Sequence, residues 1–253
     1  MDIDSDQFNP KFGLTWTPFP STTFRAAAFR TFKRSLLSDQ TLEPTQVSGF
    51  NQFFDDGTGT DSWRYGIGVD QKLSTQLFAG TEFSKRDLKV PGAIFVPPSS
   101  LQIQEFDIKE YLYRIYVYWT PHPHLSLGPE YQFERFERPI DFTGSELITR
   151  LNTHRFSLGI NFFHPCGFSA KLKPTYIDQN GKFFVPPLID VPGDDQFWVV
   201  DASIFYRLPK RMGIISIEAK NIFDENFNFQ DTDPSNPEIY PERLILARFT
   251  IAF

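Results

Sequence analysis

Polar and apolar residues alternate along almost the whole chain with a period of two, and no stretch shows a helical period. At the end of the chain Ile245, Ala247, Phe249, Ile251 and Phe253 share one face; Leu246, Arg248, Thr250 and Ala252 share the other. Residues 154–162 set His154, Phe156, Leu158, Ile160 and Phe162 against Arg155, Ser157, Gly159 and Asn161. Residues 198–206 set Trp198, Val200, Ala202, Ile204 and Tyr206 against Val199, Asp201, Ser203 and Phe205, and 61–71 and 125–133 behave alike. Successive side chains of a strand point to opposite faces, so each segment reads as a strand with one aromatic-rich apolar face. Strands are predicted at 9–18, 22–32, 61–71, 75–86, 106–119, 123–136, 148–163, 167–178, 195–207, 212–222 and 241–253. Pro129 and Pro174 fall inside two of them and cannot donate to a ladder, which points to bulges. Segment 45–54 alternates weakly and is assigned to a loop.

The second face decides the class. A soluble sandwich carries a dense charged layer outside, whereas here the polar face mixes Gly, Ser, Asn and charges of both signs. That is the alternation of a transmembrane barrel, apolar toward lipid and polar toward the lumen. Short connections at 18–21, 71–74, 121–124, 164–167 and 208–211 alternate with long ones at 32–60, 87–105, 137–147, 178–195 and 223–240, again as in such barrels. Trp16, Trp119 and Tyr206 stand near short turns, where an interfacial aromatic girdle belongs. The expected fold is an all-β antiparallel meander, a transmembrane β-barrel of 11 or 12 strands.

Parity adds an expectation. Bacterial single-chain barrels have an even number of strands. Eleven strands therefore make residues 1–253 read as the C-terminal portion of a larger barrel, with no plug domain. The start MDIDSDQ, without basic or apolar regions, is not a signal peptide. If 45–54 is a strand, a complete twelve-stranded barrel is the alternative.

Composition narrows the chemistry. Of 253 residues 17% are aromatic, 29 of them Phe, and the net charge is −6, the wrong sign for a nucleic-acid binder. A single cysteine, Cys166, excludes a disulfide framework and a thiolate zinc site. No run of 18 apolar residues suits a transmembrane helix. No G-x-S-x-G, phosphate loop or dinucleotide fingerprint is present, so neither an enzyme nor a cofactor is expected. His122 and His124 share a turn without carboxylate or thiolate support, and the acidic stretches 55–61 and 231–238 read as solvated loops, so no metal site is expected. The candidate functional side chains are the charges that alternation points into the lumen: Glu82, Glu130, Glu134, Arg155, Lys171, Lys173, Asp201, Glu218, Lys220 and Arg248. In a receptor they would bond a plug; in an open pore they would set ion preference.

Three stretches carry a family resemblance. FNPKFGLTWTPFPSTTFRAAAFRTF (8–32) resembles the strand–turn–strand of TonB-dependent outer-membrane receptors. ISIEAKNIFDENF (215–227) is similar to that family's penultimate strand and its N-L-F-D turn, here Asn221, Ile222, Phe223 and Asp224. Phe253, with Phe249 and Ile251 at alternate positions before it, resembles the signal read by the outer-membrane assembly machinery. The TonB box is absent, and the stretch after Phe32 departs from the family pattern. The resemblance implies a Gram-negative outer-membrane transporter importing a scarce solute of siderophore, cobalamin or glycan class. It implies outer-membrane lipid, lipopolysaccharide and the assembly machinery as partners, and TonB only through a missing N-terminal region. The alternatives are a non-TonB barrel, serving as export pore or as anchor for helical repeats, and a soluble β-sandwich binding protein.

Overall fold

The computed structural model describes residues 8–33, 46–52, 56–96, 100–139, 148–185, 188–230, 239 and 242–251. Eleven strands form one sheet in which each pairs antiparallel with the next: β1 (Lys11–Phe19), β2 (Thr22–Phe32), β5 (Asp61–Lys72), β6 (Leu77–Val96), β7 (Ser100–His122), β8 (Leu125–Glu137), β9 (Ile148–Phe163), β10 (Phe168–Val185), β11 (Leu188–Arg207), β12 (Gly213–Lys220) and β13 (Leu244–Ile251). β3 (Gln46–Val47) and β4 (Phe50–Asn51) make a separate small hairpin within the stretch assigned to a loop. The one helical element among the described residues is the 3₁₀ turn Pro209–Arg211. The meander expected from the alternation is the fold observed.

Two expected loops are strand instead. β6 and β7 pair without a break from Leu77↔Trp119 to Val96↔Ser100, so 87–105 is a hairpin arm. β10 and β11 likewise pair from Phe168↔Tyr206 to Val185↔Leu188, which absorbs most of 178–195. Pro91 and Pro192 lie in these arms, and both sit where their strand is an edge. β5 stops opposite Lys89, and β12 begins to pair only at Ala202. A proline costs no ladder bond on an open side.

Pro129 and Pro174 do not produce bulges. The registers β8–β9 at Pro129↔Leu158 and β10–β11 at Pro174↔Val200 run straight through. On the other side the ladder skips the proline: β7–β8 jumps from Tyr116↔Glu130 to Trp119↔Leu127, and β9–β10 from Leu172↔Ile160 to Thr175↔Ser157. A strand residue points its N–H and C=O to the same neighbour, so a missing N–H opens one side and leaves the other regular.

The two faces of the sheet are inverted relative to a soluble protein. On β5 Ser62 and Arg64 are buried at 3% and 6% exposure, while Tyr65 and Ile67 stand out at 45% and 62%. The polar face is the concave one, because side chains from strands three apart meet on it: Arg25 of β2 bonds Tyr116 of β7. The exposed apolar face then ends abruptly along each strand. On β6 and β7 the outward pairs Leu77/Trp119, Ala79/Val117, Thr81/Ile115 and Phe83/Tyr113 give way to Lys85/Tyr111, Asp87/Lys109 and Lys89/Asp107. On β9 and β10 Phe156/Tyr176 gives way to His154/Asp178 and Asn152/Asn180. At the same height the inward face changes the other way, and Leu88, Phe106, Ile108, Leu151 and Ile177 become buried.

Between these limits lies an apolar band. From Phe168 to Tyr176 it covers eight steps of about 3.3 Å, which at a tilt of about 40° approaches the ~25 Å band of outer-membrane barrels. Trp16, Trp119 and Tyr206 mark its short-turn edge, as expected. The opposite edge carries a second aromatic row that went unrecognised as a girdle in the sequence: Trp63 stacks on Tyr65, and Tyr131, Phe156, Tyr176 and Trp198 contact one another in turn.

β1 and β13 are the two ends of the sheet, and no ladder joins them among the described residues. With eleven alternating strands both run in the same direction, so an antiparallel ladder between them is not possible. Phe249 and Ile251 are exposed on β13, as its residues are on both faces from Ile245 on, and Phe253 lies outside the described residues.

Replacing Leu172, mid-band and outward, by Arg is expected to cost about 2–4 kcal/mol. Asn180→Arg, outward beyond the band, should change stability by no more than about 0.5 kcal/mol. Unfolding of both variants by urea in lipid vesicles measures the difference; equal costs would refute the lipid-facing band.

Candidate functional site: the polar concave wall

Strand registers put all ten predicted lumen charges on the concave face. Glu82 faces Arg114, Lys173 faces Asp201, Ser203 faces Glu218 and Ser216 faces Arg248, each across one strand pair. Their environments divide them into two groups.

From β2 to β8 the charges interlock. Arg25 donates to Asp70 at 2.6 Å and reaches Glu82 at 3.3 Å. The Tyr116 hydroxyl closes the triangle by donating to Asp70. Arg114 grips Glu130 through two nitrogens, at 2.7 and 2.9 Å, and lies 3.7 Å from Glu82. A bidentate guanidinium–carboxylate pair fixes geometry as well as charge. Further from the short turns Arg86 is held between Asp56 and Glu110, at 2.6 and 2.7 Å. Arg25, Arg64, Arg86 and Arg114 had not been singled out from the sequence. Their positions on the polar side of the alternation were the available signal, since they place the guanidinium groups within reach of inward carboxylates on neighbouring strands.

From β9 to β13 the charges are sparser in partners. Lys220 bonds Asp201 at 2.9 Å, and Asp201 also accepts the backbone N–H of Asn221. Lys171 and Lys173 make no ion pair or hydrogen bond among the described residues. They border a hollow of about 290 Å³ with Arg155, Gly128, Gly159 and Ser157.

Two stretches of the long connections fold back onto this wall. The β3–β4 hairpin seats Phe50, 2% exposed, against Ala27 and Phe29. The Arg25 guanidinium lies 5.3 Å from the ring centre, and Arg64 donates to the Asn51 carbonyl at 2.7 Å. Gly66 makes room: a Cβ there would fall 2.5 Å from the Phe50 ring. At the other end of the sheet Phe227 stacks on Phe197 at 4.1 Å, with Phe229, Ile177, Val199 and Ile239 completing a cluster. Gln179 ties this stretch down by accepting from the Gln230 N–H and donating to its carbonyl.

The Asn-Ile-Phe-Asp motif proves to be the device that turns the chain off β12. Asn221 is fully buried with φ +47°, a conformation Asn tolerates better than most residues. Its side chain accepts from the Glu225 N–H and donates to the Glu225 carbonyl, at 2.9 and 3.0 Å. Asp224, also at positive φ, accepts from the Arg243 N–H at the approach to β13.

The other sequence candidates resolve as follows. Asp56 and Asp61 are ion-pair partners of Arg86 and Arg30; Asp55 and 231–238 lie outside the described residues. His164 lies 6.2 Å from His124, ring to ring, and its Nδ1 is 2.9 Å from the Cys166 sulfur. Even so, no three His, Cys, Asp or Glu side chains among the described residues are arranged to hold a metal ion. His154 lies on the outward face at the band's edge and bonds the Tyr131 hydroxyl.

A polar concave wall, a convex apolar band between two aromatic rows and a strict antiparallel meander define the class: the wall of a transmembrane β-barrel. No family model matches the sequence, and no curated protein does. Among solved structures the CymD monoaromatic hydrocarbon channel is similar at a TM-score of 0.41 and 11% identity, over 97% of this chain and 74% of that one. A likeness of that degree says nothing of what this chain carries.

Two outcomes follow from the packing. Gly66→Val should expel the side chain at position 50 from its seat. The indole of a Phe50→Trp variant should therefore fluoresce at longer wavelength once Gly66→Val is added; an unchanged spectrum would show that the hairpin does not lean on Gly66. Asn221→Gly keeps the positive φ and removes the side-chain bonds. It should cost about 1–3 kcal/mol in urea unfolding, because the Glu225 N–H is left without its partner.

Proposed function

We propose that this chain forms the wall of a Gram-negative outer-membrane barrel that passes a polar solute along its concave face. One observation carries the reading: charged and polar side chains are buried on the inside while Trp, Tyr, Phe and Ile are exposed in a band outside. That arrangement is costly in water and favourable in lipid. It argues against the soluble sandwich, whose apolar faces would be buried between two sheets. The interlocked Arg25, Asp70, Glu82, Arg114 and Glu130 would stiffen one side of the conduit, and the β3–β4 hairpin would narrow it. No chemistry on the solute is implied, and the partners are outer-membrane lipid, lipopolysaccharide and the assembly machinery.

Within this reading the resemblance of 8–32 and 215–227 favours the barrel of a TonB-dependent receptor-like importer. A barrel that exports or anchors is the second reading, since the concave wall is equally polar in either direction.

The experiment uses the natural full-length gene product. In vesicles it should resist protease within the membrane, and cells that make it should take up a small polar solute that cells lacking it do not; equal uptake by both would reject the conduit. Uptake that stops when TonB is removed supports the importer, and uptake that continues rejects it.

A further inference from the structure

The concave wall is electrically divided. From β2 to β8 Arg25, Arg86 and Arg114 are each held by carboxylates at 2.6 to 2.7 Å. From β10 to β13, inside the band, the inward charges are Lys171, Lys173, Lys220 and Arg248 beside Asp201 and Glu218. Asp201 is occupied by Lys220. This leaves Lys171 and Lys173 with no ion-pair partner among the described residues, two positions apart on one face of β10 and hence about 6.6 Å apart along the strand.

The wall in front of the two lysines is hollow because its residues are small. On β9 they face Asn161, Gly159 and Ser157; the next strand places Ser126 and Gly128 alongside. A Cβ on Gly159 would meet nothing nearer than the Gly128 carbonyl, at 3.6 Å. Larger side chains at these positions would have filled the space. Lys173 faces Asp201 across the β10–β11 pair, but Asp201 is bonded to Lys220, so the two neighbouring ammonium groups repel each other and a bound anion relieves that repulsion. The carboxylate on the rim of this hollow, Glu130, is bonded to Arg114, and Asp201 and Glu218 lie on the β11–β12 side of the lysines.

We propose that this hollow binds a small polyanionic solute, one carrying two or more carboxylate or phosphate groups, through Lys171 and Lys173. The small residues of β8 and β9 provide the volume, and the hydroxyls and amide of Ser157, Ser126 and Asn161 provide neutral hydrogen bonds beside the charges. This deepens the conduit reading and rests on the concave face being the lumen.

The test is calorimetric titration of the purified natural protein, in neutral detergent, with citrate and separately with inorganic phosphate. Citrate should bind, more weakly as salt rises. Lys171→Ala/Lys173→Ala should weaken it about tenfold or more. Lys171→Arg/Lys173→Arg should restore binding to within about threefold, and Lys72→Ala, at the end of β5, should not matter. Phosphate binding as tightly as citrate assigns the site to phosphate groups, and citrate binding alone assigns it to carboxylates; either supports the site. No binding of either at millimolar concentration, or binding indifferent to the double alanine change, overturns it. Uptake of a neutral solute by cells that make the protein, while the protein ignores both anions, would leave the conduit standing and remove the anion site. Anion binding by a protein that forms no conduit would do the reverse.

Discussion

Backbone pairing is the constraint on which everything else depends. In hydrocarbon a peptide N–H or C=O without a partner costs several kcal/mol, so a chain that crosses lipid as strands must pair every strand with its neighbours. The uninterrupted meander from β1 to β13 does this by the shortest route, each strand bonding the next. Prolines show the rule at work. Pro91 and Pro192 sit where no neighbour waits for a hydrogen bond, and Pro129 and Pro174 each open one side while the register of the other is kept. Apart from the openings at the prolines and the stretch of β11 before Ala202, the outer edges of β1 and β13 lack a ladder partner among the described residues. Because the two run in the same direction, a wholly antiparallel closure needs an odd number of further strands between them.

Once pairing fixes the strands, the period of two fixes the faces, and the solvent on each side fixes their chemistry. The change of face polarity along a single strand is the most direct sign of a boundary. β6 reads Phe83, Lys85, Asp87 and Lys89 outward while it reads Glu82, Ser84, Arg86 and Leu88 inward. A uniform environment would give one polarity along the whole strand. Two environments stacked along the strand give the switch, and it falls at matching heights on β6, β7, β9 and β10. Beyond it the inward face acquires an ordinary apolar core, and it is there that the Phe227 stretch packs.

Most of this was legible in the sequence because alternation is a local signal. Strand existence, order, the side of the short turns and the inward direction of Glu82, Lys171 or Arg248 all follow from parity alone. Strand ends were less legible. The hairpin arms 87–105 and 178–195 contain Pro, Gly and Asp, residues that disfavour a central strand but not an edge, and whether a strand is central or edge is set by where its neighbours stop. The inward hairpin was invisible for a different reason: Phe50 packs on Ala27, Phe29 and Gly66, contacts that depend on curvature and leave no trace in the period. The Asn221 motif was noticed by resemblance, but its work as a buried turn clasp required the partners Glu225 and Asp201 to be seen.

The division of the concave wall follows from the same geometry. A carboxylate facing a polar lumen is stable alone if water reaches it, so nothing in folding compels the pairing seen from β2 to β8. At Arg25 and Arg64 the hairpin covers the wall: Phe50 lies beside one guanidinium and the Asn51 carbonyl accepts from the other, so each relies on partners within the protein. On the far side no described segment covers Lys171 and Lys173, and the glycines and serines around them leave room for water or an anion to serve as their partner. Where the wall is roofed its charges find partners within the protein; where it is open Lys171 and Lys173 have no ion-pair partner among the described residues, and the proposed anion site rests on that contrast.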